Sequence, residues 1–274
     1  MRLPFNVRYL VLGVLVYIAI LVLTIPAAQV YAYWQSSGQA SPNSLNKRIS
    51  LAGIEGSIWS GSAERAVILG QAVNPLEWSL HPWSLLLGEV GVSWRFQLPD
   101  SDGKPAYGQG TTDLGLGGSI DFPELKASIP INVVANMARL GALRPAGTLD
   151  LNLEDVKWDG QNLVSANGRI VWRNAEISMI KPISYGDLTV KLETSNHMIK
   201  GVLSDSGGPL SAQGVATLTA DGRYQFTGAF GSRGDQDLEN ALRAMGRPGP
   251  DGKVKVNYSG NLASLGILPR RRGK

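Results

Sequence analysis

The chain contains no cysteine. Disulfides, thiolate nucleophiles and cysteine metal sites are therefore excluded, and packing with hydrogen bonds must hold the fold. Histidine is almost as scarce, with His81 and His197 the only two. Two isolated histidines do not make a usual zinc site without well-placed carboxylates. No H-E-x-x-H, Walker A or complete G-x-G-x-x-G occurs; Gly108-Gln-Gly110 has Asp113 where the third glycine should stand. No cofactor and no metal are expected. Charged residues make up 18% of the chain, below the ~25% usual in soluble proteins. None lies between Arg8 and Lys47.

That uncharged interval holds the longest apolar run, Tyr9 to Ala28. About 20 apolar residues span a bilayer core in helical form. Tyr9, Leu12, Val16, Ile20 and Leu23 are its expected lipid-facing anchor residues. Arg2 and Arg8 precede the run, and short basic flanks stay cytoplasmic, so the remainder is expected across the membrane. A cleaved signal peptide is the other reading. Its apolar region would be only ~7–15 residues long. Tyr31, Tyr33 and Trp34 follow and suit the far interface. The expected organisation is a cytoplasmic N-terminus at 1–8, an anchor at 9–30 and a flexible polar linker at 31–46 that leaves the next unit free to swing. A periplasmic β-rich unit at 47–262 and a basic tail at 263–274 complete it.

The net charge of +4 does not indicate nucleic acid. Arg2, Arg8, Arg270, Arg271, Arg272 and Lys274 sit at the two ends and leave residues 9–269 at −2. A nucleic-acid binder carries its basic patch on the folded body. The tail is read as solvated, with contact to anionic lipid headgroups as the alternative.

The body alternates with period two. Leu76, Trp78 and Leu80 form one run; Val90, Val92, Trp94, Phe96 and Leu98 form the strongest, with one face buried. Pro82 ends the first run, and Asp102-Gly103 marks a turn. Ile131, Val134, Ala135 and Ala138 then share one helical face. A second half restarts with Leu149, Leu151 and Leu153. Later, Ala216 and Leu218, Asp221-Gly222, and Tyr224 and Phe226 read as a hairpin with a two-residue turn. Leu238, Ala241, Leu242 and Met245 give a second short helix, and Val254, Val256 and Tyr258 a last strand. The halves, 47–145 and 146–262, allow an internal duplication, with Gly56-Ser-Ile-Trp59 loosely like Gly168-Arg-Ile-Val-Trp172. The fold class is mostly β: one transmembrane helix, then a curled antiparallel sheet with two short helices. Strands of about 5–8 residues with close turns favour a meander. Two short helices cannot cover it, so the sheet closes as a barrel or sandwich, or stays an open trough.

One motif points towards catalysis. Asp205-Ser206-Gly207-Gly208-Pro209-Leu210 matches the surroundings of a chymotrypsin-like nucleophile, which would make a serine hydrolase. The base would have to be His81 or His197, in Ser-Leu-His-Pro and Ser-Asn-His-Met. The plainer reading is a Gly-Gly-Pro loop whose Asp and Ser bond their own backbone. Tryptophan recurs in the body. Trp59, Trp78, Trp94 and Trp172 are candidate partner or groove contacts, against the simpler reading of core packing.

The chain resembles the type II secretion system protein N family. The resemblance rests on the anchor, on Gly56-Ser-Ile-Trp59-Ser-Gly61, and on Leu76-Glu-Trp78-Ser-Leu80-His-Pro82-Trp-Ser-Leu85-Leu86-Leu87-Gly88. Gly147-Thr-Leu149-Asp-Leu151, Trp158, Gly168, Trp172-Arg-Asn-Ala175, Gly207-Gly208-Pro209-Leu210 and Asp251-Gly252 follow in order. It implies a non-catalytic, inner-membrane, periplasm-facing accessory that binds other type II secretion components during export across the outer membrane. Such proteins are similar to the AsmA-like group, which implies a lipid-binding groove as the alternative.

Overall fold

The computed structural model describes residues 5–37, 49–68, 70–98, 106–115, 117–137, 141–178 and 181–261. Arg2, linker residues 38–46, the Asp102-Gly103 turn, Ala138 and the 263–274 tail lie outside the described residues.

Two helices open the chain, α1 (Phe5–Leu23) and α2 (Ala27–Ser37). The expected single span is broken between them, because Pro26 has no N–H to donate and cannot continue a helix. Tyr9 to Leu23 rises roughly 22 Å, short of the ~30 Å hydrocarbon core. Among the described residues no helix is long and apolar enough to cross a membrane. The first part of the expected linker is also helical, since α2 runs to Ser37. Nor does the body hang free of α1. Ile58 N–H donates to Ile25 O at 3.1 Å, and Pro26 pairs with Ser57 as an isolated bridge.

The strands are β1 (Ile49–Gly56), β2 (Ser60–Ile68), β3 (Gln71–Val73), β4 (Leu76–His81), β5 (Glu89–Leu98), β6 (Ala106–Gly115) and β7 (Ile120–Pro130). After α3 (Ile131–Met137) come β8 (Pro145–Trp158), β9 (Leu163–Ser178), β10 (Pro182–Ser195), β11 (Met198–Asp205), β12 (Leu210–Thr219) and β13 (Arg223–Ser232). Helix α4 (Gln236–Met245) precedes β14 (Val254–Asn261). The strands make one 14-stranded antiparallel sheet in sequence order, with only β3 off the path, beside β2. The sheet is open: β1 and β14 are its two ends and do not pair. Adjacent strands twist by roughly 20–25°, so a sheet this wide coils.

Three expectations need correction. The central strands exceed the expected length, with β9 at 16 residues. Register shifts beside Gly147, Asp155 and Gly186, all at positive φ, let these strands run on past local irregularities. The β12–β13 turn is also one residue longer than expected. Leu218 pairs with Tyr224, and Gly222 at φ 81° donates to Thr219 O at 2.9 Å. Finally, Gly56 ends β1 and Ser57 to Trp59 form the turn to β2, whereas Gly168 to Trp172 lies inside β9. The two phrases take unlike conformations.

The alternation becomes two apolar rows once register is fixed. Ile54, Ala63, Leu76, Phe96, Gly108, Ala127, Leu151, Ile170, Val190, Leu203, Gly214, Gly228 and Val256 are directly opposed in turn, one per strand. The parallel row begins Gly56, Gly61, Trp78, Trp94, Gly110, Leu125 and Leu153. It continues Gly168, Leu192, Gly201, Ala216, Phe226 and Tyr258. Neither row contains a polar side chain other than the indole and phenol tips. Between them, on the opposite face, runs Glu55, Ser62, Glu77, Arg95, Gln109, Lys126, Asn152, Arg169 and Lys191. One face is thus apolar over thirteen strands and the other polar over the first nine.

Burial concentrates at the two ends of the apolar face. At one end Leu210, Ala212, Leu238, Leu242, Val254 and Val256 form a core, closed by α4. Asp235 caps that helix, accepting from Leu238 N at 3.0 Å. At the other end Ala66, Val73, Leu98 and Ala106 cluster. Between these ends Leu125, Leu151, Ile170, Val190 and Leu192 are only half-buried.

Candidate functional site

The half-buried middle of the apolar face is the feature with functional potential. Trp78 and Trp94 stand directly opposite on β4 and β5. Trp94 stacks on Phe96, with ring centroids 5.6 Å apart and planes at 11°. Its Nε1–H donates to Thr112 Oγ1 at 2.8 Å, so the half-buried indole keeps its polar bond. Glycines make room for these rings. A Cβ at Gly108 would lie 2.5 Å from Phe96 Cζ, and one at Gly61 would lie 2.6 Å from Trp78 Cζ2. The aromatic of one strand covers the glycine of the next.

The four candidate tryptophans do not form one site. Trp78 and Trp94 are together. Trp172, on β9, is paired with Leu149 and Leu188, and its Nε1–H donates to Ala146 O at 2.9 Å. Trp59 sits in the β1–β2 turn beside the end of α1. The anchor candidates Tyr9, Leu12, Val16, Ile20 and Leu23 are all more than half exposed, together with apolar neighbours on every side of α1.

On the polar face of β2 to β6 lies an open hollow of about 720 Å³, lined among others by Ser62, Glu77, Ser93, Arg95 and Gln109. Ser60, Ser79, Ser93 and Thr111 are in register there as a ladder of hydroxyls. Sequence reading missed this ladder, since small polar residues between apolar ones carry no signal until register aligns them.

The protease-like hexapeptide is a loop closed by its own aspartate. Asp205 accepts from Gly207 N at 2.9 Å and Ala212 N at 2.8 Å, and pairs with Arg233 at 2.7 Å. Arg233 also donates to Gly208 O and Leu210 O, each at 2.7 Å. Burial pushes the Asp205 carboxyl up, but these donors outweigh it and hold the group below its ordinary range. His81 faces Ser93, with Nε2 to Oγ 3.1 Å, and His197 is exposed in the β10–β11 turn at φ 59°. Neither histidine is hydrogen-bonded to Ser206, whose N–H donates to Asp187 O at 3.0 Å. Among the described residues no cluster of three or more His, Asp or Glu could hold a metal.

Residues 47–257 match the family model for Type II secretion system (T2SS), protein N. Type II secretion system protein N of Vibrio cholerae serotype O1 is 24% identical over 225 residues, covering 81% of this chain and 88% of that protein. Its namesake from Aeromonas hydrophila is 23% identical over 220 residues, covering 78% and 85%. No solved structure matches the chain. The family match spans most of the chain and both ends of the sheet: this protein belongs to the type II secretion system protein N family.

Proposed function

We propose that this protein is a non-catalytic, inner-membrane component of the type II secretion machinery that binds other envelope components through its sheet. The observation that carries this reading is the family match over residues 47–257. The apolar middle of the sheet, where Leu125, Leu151, Ile170, Val190 and Leu192 keep part of their surface in solvent, supports a binding role, because accessible apolar surface marks an interaction site. Residues 9–17 and 20–23 of α1 are uncharged, almost all apolar, and exposed, which supports insertion of the helix in the bilayer with the Thr24–Pro26 break near the interface. Arg2 and Arg8 support a cytoplasmic N-terminus, with residues 47–262 in the periplasm. Alkaline phosphatase fused after Gly61 is active and fused after Arg8 inactive; the reverse pattern overturns the orientation. Deleting the gene in its host retains exported enzymes inside the cell, and re-expression restores their release. Undiminished release overturns the secretion role.

The two apolar rows favour one second reading, a lipid-binding groove. An acyl chain lying across Leu151, Ile170 and Val190 would meet only apolar side chains. Native mass spectrometry of the intact protein separates the readings. Stoichiometric phospholipid, lost on Trp94→Asp in a folded variant, supports the groove; a lipid-free protein whose loss impairs secretion supports assembly.

A further inference from the structure

The two ends of the sheet are treated differently. An unpaired edge strand is a template for another strand, and proteins blunt such edges where pairing is unwanted. The β1 edge is blunted. Tyr31 Oη accepts from Leu51 N at 2.9 Å and lies 3.4 Å from Ile49 O, so one phenol occupies both backbone groups. Gln35 Nε2 holds that phenol at 2.7 Å. Just beyond the strand, Ile25 and Pro26 take Ile58 and Ser57.

The β14 edge has no such cover. Pro248 bridges Val254 at its start. Among the described residues nothing pairs with the outer edge of Lys255 to Gly260. This stretch contains no proline and no register shift. Lys255, Asn257, Tyr258 and Ser259 are exposed. Both apolar rows run out to this edge at Val256 and Tyr258, and Tyr258 is 59% exposed.

We infer that the Lys255–Gly260 edge of β14 takes up an extended segment of another protein as an added antiparallel or parallel strand. This deepens the proposed role by naming the kind of partner, and rests on that role only in taking the partner to be a protein. The edge demands extended backbone, because only that satisfies a row of outward N–H and C=O groups. The apolar rows demand an apolar side chain at every second residue. Charge sets the residues between. Strands β12, β13 and β14 hold Arg223 and Lys255 and no carboxylate. Arg223 is already paired with Asp221 at 2.6 Å. An acidic side chain placed opposite Lys255 makes a favourable cross-strand pair, whereas a second copy of β14 would add another lysine and no acid.

The test uses the full chain in detergent and a labelled peptide as long as β14, alternating valine and glutamate. The peptide binds, protects the amides of residues 255–260 from hydrogen exchange, and loses binding when alternate backbone nitrogens are methylated. Lys255→Glu, on an exposed side chain, weakens it by about tenfold and favours a valine–lysine peptide instead. Absence of binding, protection elsewhere, or indifference to N-methylation overturns the inference. So does binding that begins only when residues 262–274 are removed, which gives the edge to the chain's own tail. A negative result here with secretion still dependent on the gene overturns this inference alone.

Discussion

The indole N–H of Trp59 donates to the carbonyl of Val22 at 2.8 Å. Val22 is one of the last residues of α1, where helical carbonyls lack an intrahelical partner. The first turn of the sheet therefore supplies a donor that the end of the helix needs. With Ile58 N–H on Ile25 O, this fixes the body against the helix rather than leaving it on a swinging tether.

Replacing the indole tests this joint. Trp59→Phe keeps an aromatic ring but removes the donor, a loss of ~1 kcal/mol. Hydrogen exchange at the Ile58 amide is expected to rise roughly fivefold, the equivalent of that energy, with β8 to β10 unchanged.

Glycine substitutions separate strained positions from permissive ones. Gly168 lies inside β9 at φ 123°, and a Cβ there would be 2.2 Å from Asn152 O. Gly168→Ala is expected to cost roughly 2–3 kcal/mol, through backbone strain and displacement of β8. Gly117 has nothing within 4 Å of its would-be Cβ. Gly117→Ala should stay within ~0.5 kcal/mol. Urea midpoints of the two variants give the comparison.

The pattern of core losses should follow the uneven burial. Leu238 is completely buried between α4 and the sheet, so Leu238→Ala is expected to cost roughly 2–5 kcal/mol. Leu125 lies half-buried on the apolar face, and Leu125→Ala should cost less than about half as much. Chemical unfolding of both variants measures the difference.

How much of this was legible beforehand follows from what register adds. The alternation of Val90 to Leu98 identified β5 and its apolar face, and the spacing of Leu238, Ala241, Leu242 and Met245 identified α4. Period two assigns each side chain to a face but says nothing about its neighbour. The opposition of Trp78 to Trp94, and of each aromatic to a glycine, depends on hydrogen-bond pairing between strands. The length of the central strands was not legible, because the bulges beside Asp155, Asn174 and Gly186 that let them run on appear only once register is known. The break in the N-terminal apolar run was signalled by Pro26, outweighed in the sequence by the length of the run.

Acid should act on the loop between β11 and β12. The Asp205 carboxyl is 7% exposed and held below its ordinary range against the opposing effect of burial. A carboxylate with a lowered folded pKa contributes stability above its unfolded pKa of ~3.9 and loses it as pH falls through the folded value. Asp205→Asn removes this contribution at every pH. The wild-type advantage over the variant in urea unfolding should therefore be full at neutral pH and shrink progressively below about pH 4. A difference between the two that does not change with pH would contradict the assignment.

The order of strands along the sheet is the order along the chain, apart from β3 beside β2. A polypeptide delivered from its N-terminus can therefore register each new strand against the one before it. No early strand must wait for a distant partner, and loop-closure entropy is met in small steps. Without cysteines there is no oxidation step either. Until each next strand arrives, the growing sheet always carries one unfinished border, and that border moves strand by strand until it stops at β14.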